Sequence, residues 1–187
     1  MGGYKTNIMT GATYIEFDKA RTTGLKLIRT GDNPVFGLLI LSGIYTGLRI
    51  GDLLTLTFGD LRGESIKITE AKTGKVREIK VNDTIHQALT YFDSDVYPDS
   101  FNAFRSRKNT VYSNKHVNRL LQQYFTGDRI SSHSLRKTFG RRVYDMHGQS
   151  EASLVSLSDI FNHKDVATTR KYLGIRQEEI NDIYTNL

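Results

Sequence analysis

The chain has no cysteine among its 187 residues. That excludes a disulfide framework, a thiolate metal site and a cysteine nucleophile, and it fits a reducing compartment. Long apolar runs are also missing. The longest, Val35 to Tyr45, is interrupted by Gly and Ser and falls short of the roughly 20 residues that span a bilayer. The start, Met-Gly-Gly-Tyr-Lys, lacks the apolar stretch of a signal peptide. The expectation is a soluble, intracellular protein with no membrane partner. The five histidines form no H-x-H or H-E-x-x-H pattern, and no carboxylate cluster suits a divalent cation. Neither a metal nor a cofactor is expected.

What the chain does have is positive charge, unevenly placed. Residues 1–100 hold 12 Lys/Arg and 12 Asp/Glu, whereas residues 101–187 hold 14 and 8, so the net +6 arises in the second half. Between Phe101 and Arg142 there are ten basic residues and one acid, Asp128. A one-sided basic region is the electrostatic footprint of a polyanion partner; an ordinary soluble basic surface is the alternative. The candidate contacts are Arg105, Arg107, Lys108, Lys115, Arg119, Lys137 and Arg141, with Lys75 upstream.

The length fits one domain able to bury its own core. Residues 1–14 read as a loose N-terminal segment or a cloning remnant, and 15–187 as the domain. Ile15 to Arg29 places Phe17, Ala20, Gly24, Leu27 and Ile28 on one helical face. Asn33 and Pro34 open a helix to about Tyr45 that is apolar nearly all round, the mark of a domain centre. Gly47 allows a tight exit to Arg49. Asp52, three residues on, falls on the same helical face as Arg49 and could hold its guanidinium; taken alone, these residues favour a plain structural salt bridge. Ser65–Thr69 and Val76–Val81 alternate around a turn with Lys72, Gly74 and Lys75, which reads as a β-hairpin with a basic tip.

Further helices are expected from Asn82 or Asp83 to about Phe92 and from Ser113, with Val117, Leu120, Leu121 and Tyr124 inward. Short strand-like pieces fall between Asp93 and Asn109. A central helix starts at Ser131 or Ser132 with Leu135, Phe139 and Val143 as its core stripe. Two more follow, Glu151 to Phe161 and a short one capped by Asp165. The last runs from Gln177 to Asn186 with Ile180, Ile183 and Tyr184 on one face, Tyr184 as packing. The class is α+β, mainly α-helical with a small hairpin.

His133 and Arg136 sit near the start of the central helix, where the dipole favours an anion. His163 and Tyr172 follow nine residues apart. Two Arg, two His and one Tyr can handle a phosphate, though each residue alone has a structural reading: a capping His, a packed Tyr, solvated loop lysines.

Taken in order, four stretches resemble the catalytic domain of the tyrosine recombinases, or phage-type integrases. They are T-G-L-R-I-G-D-L-L-T-L around Arg49, A-K-T-G-K-V-R-E-I-K-V around Lys72, H-S-L-R-K-T-F-G around His133 and Arg136, and F-N-H-K-D-V-A-T-T-R-K-Y-L around His163 and Tyr172. The resemblance covers roughly Ile15 to Leu187 and implies that family's fold and activity: cleavage and rejoining of double-stranded DNA, without metal or ATP. It implies that Arg49 and Arg136 clamp the scissile phosphate and that Lys72, in preference to Lys75, is the general acid. His133 would assist proton transfer, His163 would bond a non-bridging oxygen, Tyr172 would be the nucleophile, and Asp52 would support Arg49.

This sequence departs from the family pattern at Asp52, where Glu is commoner, and at Asn162, which replaces the usual Gly before the second His. The span between Arg136 and His163 is a few residues longer than usual. Nothing corresponds to the N-terminal core-binding domain, so an isolated catalytic domain or a minimal relative is expected, monomeric alone and tetrameric on DNA when full length. A prokaryotic cytoplasm, on the nucleoid, would be its setting. A catalytically silent DNA-binding module and a type IB topoisomerase-like enzyme are the competing readings.

Overall fold

The computed structural model describes residues 11–72, 74–175, 181 and 184–186. Among them the elements are α1 (Phe17–Arg29), α2 (Pro34–Thr46), α3 (Ile50–Leu53), α4 (Phe58–Arg62), β1 (Ser65–Thr69), β2 (Val76–Lys80), α5 (Asp83–Leu89), α6 (Asn114–Tyr124), α7 (Ser132–Met146), α8 (Glu151–Phe161) and α9 (Val166–Leu173). This is the expected mainly helical α+β architecture. No helix among the described residues is long and apolar enough to cross a membrane.

Helix α2 is buried along its length because it carries almost no polar side chain. A helix without a polar face is stable only when other elements cover every side, and α1, α5 and α7 pack around it. Asn33 caps it, accepting from the Phe36 amide, and Pro34 opens it. At the other end Gly47 takes φ 61°, and a Cβ there would stand 2.4 Å from the Phe139 ring. The tight exit and the close approach of α7 therefore both require glycine.

Helix α7 lies between two apolar clusters. Leu135 belongs to the larger, built on α2 with Phe36, Ile40, Phe58 and Phe104. Tyr144 belongs to the smaller, with Leu154, Leu157, Phe161, Leu173 and Ile175. The expected stripe of Leu135, Phe139 and Val143 is consequently too narrow. Ser134, Arg136, Lys137, Thr138 and Gly140 are buried as well, while Phe139 and Val143 are half-buried. A helix covered from two sides buries more than one face.

The hairpin is antiparallel, with Ser65 opposite Lys80 and Thr69 opposite Val76. The strand-like pieces between Asp93 and Asn109 amount to isolated bridges, Thr57 with Asn102 and Arg105 with Val111. The start of the chain is fixed from Thr13 onward. Thr13 Oγ1 donates to the Asp128 carbonyl (2.7 Å), and Ile15 exchanges two hydrogen bonds with the buried Thr138 hydroxyl. Most of the expected loose segment lies outside the described residues, as do Ile180 and Ile183 of the last expected helix. Tyr184, read as packing, is 77 % exposed.

Candidate active site

Arg49 sits directly beyond the exit from α2. Its backbone is extended and serves as the N-cap of α3, so it stands ahead of the helix, and the helical spacing that put Asp52 beside it does not apply. One guanidinium nitrogen meets Glu70 Oε2 at 2.6 Å and the other donates to the Phe161 carbonyl at 3.1 Å. Asp52 instead accepts from the Ala71 amide at 3.0 Å. The carboxylate expected to support Arg49 thus anchors the base of the lysine hairpin, and Glu70 pairs with the arginine.

Glu70 is 1 % exposed and also accepts from Arg77 of β2 at 2.8 Å. Two cations compensate its buried charge. Sequence reasoning missed it because no periodicity links it to Arg49, 21 residues earlier. The available signal was an acid just past an alternating strand, flanking the basic turn.

Arg136 is 4 % exposed. It donates to the Gly47 carbonyl and, at 3.1 Å, to the Phe161 carbonyl, and its guanidinium lies 4.4 Å from the Phe161 ring centre. Burial pushes its pKa down to about 10, which leaves it cationic at neutral pH. The shared acceptor is the last residue of α8, where Asn162 turns the chain away with φ 52°. A helix C-terminus presents partial negative charge, and here it gathers two arginines from distant parts of the sequence.

Tyr172 on α9 joins them. Its ring meets Phe161 at 5.4 Å and His163 at 5.3 Å, both edge-on. His163 Nδ1 lies 2.9 Å from Thr169 Oγ1, which fixes the imidazole on α9. The Tyr172 hydroxyl is enclosed, with no aligned hydrogen-bond partner among the described residues. Burial raises its pKa, opposed by the charges of Arg136 and Arg49 and by the near approach of the Arg136 guanidinium, which is not aligned as a donor. The phenol is therefore protonated at rest. Burial, then Arg136 and Arg49, lower the pKa of His163; partial desolvation, then Lys137 and Arg136, lower that of His133. Both rings are neutral at neutral pH, and a neutral imidazole can accept a proton. His133 keeps an exposed edge on the first turn of α7.

Lys72 is exposed at the hairpin tip, and the contact of Lys75, three residues on, with Asn162 brings the tip beside His163. Lys75 Nζ donates to Asn162 Oδ1 at 2.7 Å. Of the other basic candidates, Arg107, Lys108, Lys115 and Arg119 are exposed. The N-terminal turn of α6, which carries Lys115, is tied to the start of α7 through Asn114 to Ser132 Oγ (2.8 Å) and Asn118 to the Ser132 amide (2.7 Å). The helix that carries Lys115 and Arg119 is thus anchored to the first turn of α7, which carries His133. Arg105 is half-buried, lying over the Phe101 ring and donating to Asn109 Oδ1 at 2.9 Å, and Arg141 is partly covered by Asp145 and Tyr14. Lys137 does not fit a surface contact. It is 8 % exposed, and its ammonium lies 5.0 Å from the Tyr172 ring centre. The fourth residue after His133 points inward because α7 is buried on that side too.

Among the described residues no group of three or more His, Cys, Asp or Glu could hold a metal ion. The structure thus brings Arg49, Arg136, His163 and Tyr172 into one cluster, with His133 and Lys72 at its margin.

Several known proteins are similar to this chain. The probable integrase/recombinase YoeC of Bacillus subtilis (strain 168) is 30 % identical over 152 residues, covering 78 % of this chain and 81 % of YoeC. The chain spans about half the length of the XerC and XerD tyrosine recombinases that it also matches. The structure of XerA recombinase superposes with a TM-score of 0.65 at 22 % identity, covering 95 % of this chain and 64 % of XerA. XerH recombinase bound to its difH substrate gives 0.60 at 20 %, covering 93 % and 53 %. Residues 36–179 match the phage integrase family, and the chain belongs to that family, the tyrosine recombinases.

Proposed function

We propose that residues 15–187 act as the catalytic domain of a site-specific DNA recombinase that cuts and rejoins strands through a covalent 3′-phosphotyrosine at Tyr172. The observation that carries this reading is the convergence of Arg49 and Arg136 on the Phe161 carbonyl beside Tyr172 and His163. Displacement at a phosphodiester develops charge on its equatorial oxygens, and two fixed guanidinium groups neutralise it with paired donors. A phenol has a pKa of about 10, so Tyr172 needs a base, and neutral His133 takes its proton.

Tyr172 Oη attacks phosphorus, the bond to the 5′-oxygen breaks, and Lys72 gives that oxygen a proton. The products are a 3′-phosphotyrosine and a free 5′-hydroxyl. Attack by a 5′-hydroxyl of another strand reverses each transfer, so the stored phosphodiester energy makes ATP unnecessary. His163 bonds a non-bridging oxygen.

The partner is double-stranded DNA, held by the exposed cations near α6 and α7, and the working assembly is four protomers on two sites in a prokaryotic cytoplasm. Support for DNA comes from the XerH complex and from a lambda integrase dimer bound to a COC′ core site. The test is a nicked suicide duplex carrying the protein's own crossover site, incubated in EDTA. Wild type traps a covalent adduct, and Tyr172→Phe binds the duplex without trapping. An adduct surviving that substitution, or one requiring divalent metal, would refute the assignment.

A further inference from the structure

We infer that Asn162 is a positioning residue for Lys72: with Lys75 it forms a latch that holds the hairpin tip over the site. The inference deepens the proposed reaction and rests on Lys72 as its general acid.

The turn that carries Lys72 is fixed at its base. The Ala71 amide donates to Asp52 Oδ1 (3.0 Å), the Gly74 amide to the Glu70 carbonyl (2.8 Å), and the Glu70 amide to the Lys75 carbonyl (2.9 Å). The first of these bonds reaches α3, and the other two close the turn on itself. On the other side the tip reaches α8, where Lys75 Nζ donates to Asn162 Oδ1 at 2.7 Å, joining residues 87 apart in sequence. Lys72 is three residues from one end of this link, and His163 adjoins the other. The link therefore fixes the distance between the leaving-group acid and the elements that carry His163 and Tyr172.

The backbone at Asn162 explains why the side chain matters. The residue takes φ 52°, ψ 50° as the C-cap of α8, with its amide donating to the carbonyls of Ser158 and Asp159. Glycine adopts that conformation without steric cost, and asparagine tolerates it less well. Closing the helix needs no side chain at all. What asparagine adds is an amide oxygen, and that oxygen meets Lys75. The bond also ties the Lys75 ammonium to the rim of the site, while Lys72 is exposed at the tip. The Lys72 charge acting on His163 fits the same placement.

The substitution that tests this is Asn162→Gly, because it keeps the left-handed cap and removes only the acceptor. Single-turnover cleavage of ordinary DNA is expected to slow about tenfold, the scale of one lost hydrogen bond that sets geometry, with the melting temperature not lowered. Lys75→Met should slow it equally, and the double variant no further. The discriminating substrate carries sulfur at the bridging 5′ position, because a thiolate leaves without needing a proton. On it, Asn162→Gly should match wild type.

An unchanged rate on ordinary DNA, or a slow rate that sulfur does not restore, overturns the latch. Lys72→Ala run alongside separates the two levels. If sulfur fails to restore Lys72→Ala, the general-acid assignment fails; if it restores Lys72→Ala but Asn162→Gly never slowed, only the latch fails.

Discussion

Arg49 and Arg136, 87 residues apart in sequence, donate to the same oxygen, the carbonyl of Phe161, each at 3.1 Å. Two like charges are held together because a helix end, the Glu70 carboxylate and the Gly47 carbonyl share the load. In the proposed reaction a phosphate entering beside them would meet donors already oriented. Arg136→Lys cannot keep this arrangement. An ammonium does not span the Gly47 and Phe161 carbonyls with one planar fork while facing a third acceptor. Single-turnover adduct formation is expected to fall about 10²–10³-fold, with DNA affinity changed much less. A loss confined to binding would remove Arg136 from the transition state.

Glu70 gives the second prediction. Glu70→Gln leaves Arg49 and Arg77 without a shared counter-charge. Both arginines are about one-fifth exposed, so solvent screens part of the effect, and a loss of about 1–3 kcal/mol is expected. Thermal denaturation reads it as a fall of a few degrees, accompanied by slower cleavage as Arg49 loses its anchor. Asp52→Asn keeps the acceptor for the Ala71 amide and should slow cleavage less than Glu70→Gln does. The reverse order would restore Asp52 as the support of Arg49.

These two carboxylates show where the sequence was readable. Caps and periodicity located most elements because those signals are local: Asn33–Pro34 at α2, Ser113 at α6, Asp165 at α9. The cluster of Arg49, Arg136, His163 and Tyr172 was legible as a set of motifs. The contacts that hold it together were not. Glu70 with Arg49, the Phe161 carbonyl with both arginines, and Lys75 with Asn162 all cross long stretches of chain and follow from packing alone. Lys137 failed for the same reason, since burial from two sides is set by the clusters flanking α7.

The third prediction concerns stability at Tyr172. Its hydroxyl is enclosed, and the Arg136 guanidinium that acts on it is not aligned as a hydrogen-bond donor, so loss of the hydroxyl gives up little hydrogen-bond energy. Tyr172→Phe should therefore melt no lower than wild type, and up to a few degrees higher, while losing the covalent adduct entirely. A lower melting temperature would mean that the hydroxyl is satisfied in solution.

The fourth is a pH dependence. His133 is lowered by partial desolvation, then by Lys137 and Arg136, and His163 by burial, then by Arg136 and Arg49. In the unfolded chain both titrate near about 6.5. Between that value and their lower folded values the unfolded state binds more protons, so stability falls as pH drops below about 6.5. Melting temperatures measured from pH 7.5 down to 5 should decline, and His163→Asn should flatten part of the decline. The acid limb of the cleavage rate, where His133 gains its proton and ceases to be a base, should also lie below pH 6.5 for the same reason. A limb at or above that value would count against His133 as the base.

The fifth separates the basic residues by burial. Arg107, Lys108, Lys115 and Arg119 are exposed, whereas Lys137 is 8 % exposed and lies against Tyr172. Each phosphate contact releases counterions, so log affinity falls linearly with log salt, by about 0.9 per phosphate neutralised. Alanine at each exposed cation that meets a phosphate should weaken binding and reduce that slope by about one. Lys137→Met keeps the apolar stem's volume and removes the charge. It should leave the salt slope as in wild type and slow adduct formation, because the ammonium no longer holds the ring face. Lys137→Arg should restore most of the rate. A reduced slope for Lys137→Met would return that residue to the DNA surface, and an unchanged cleavage rate would leave its contact with Tyr172 a matter of packing.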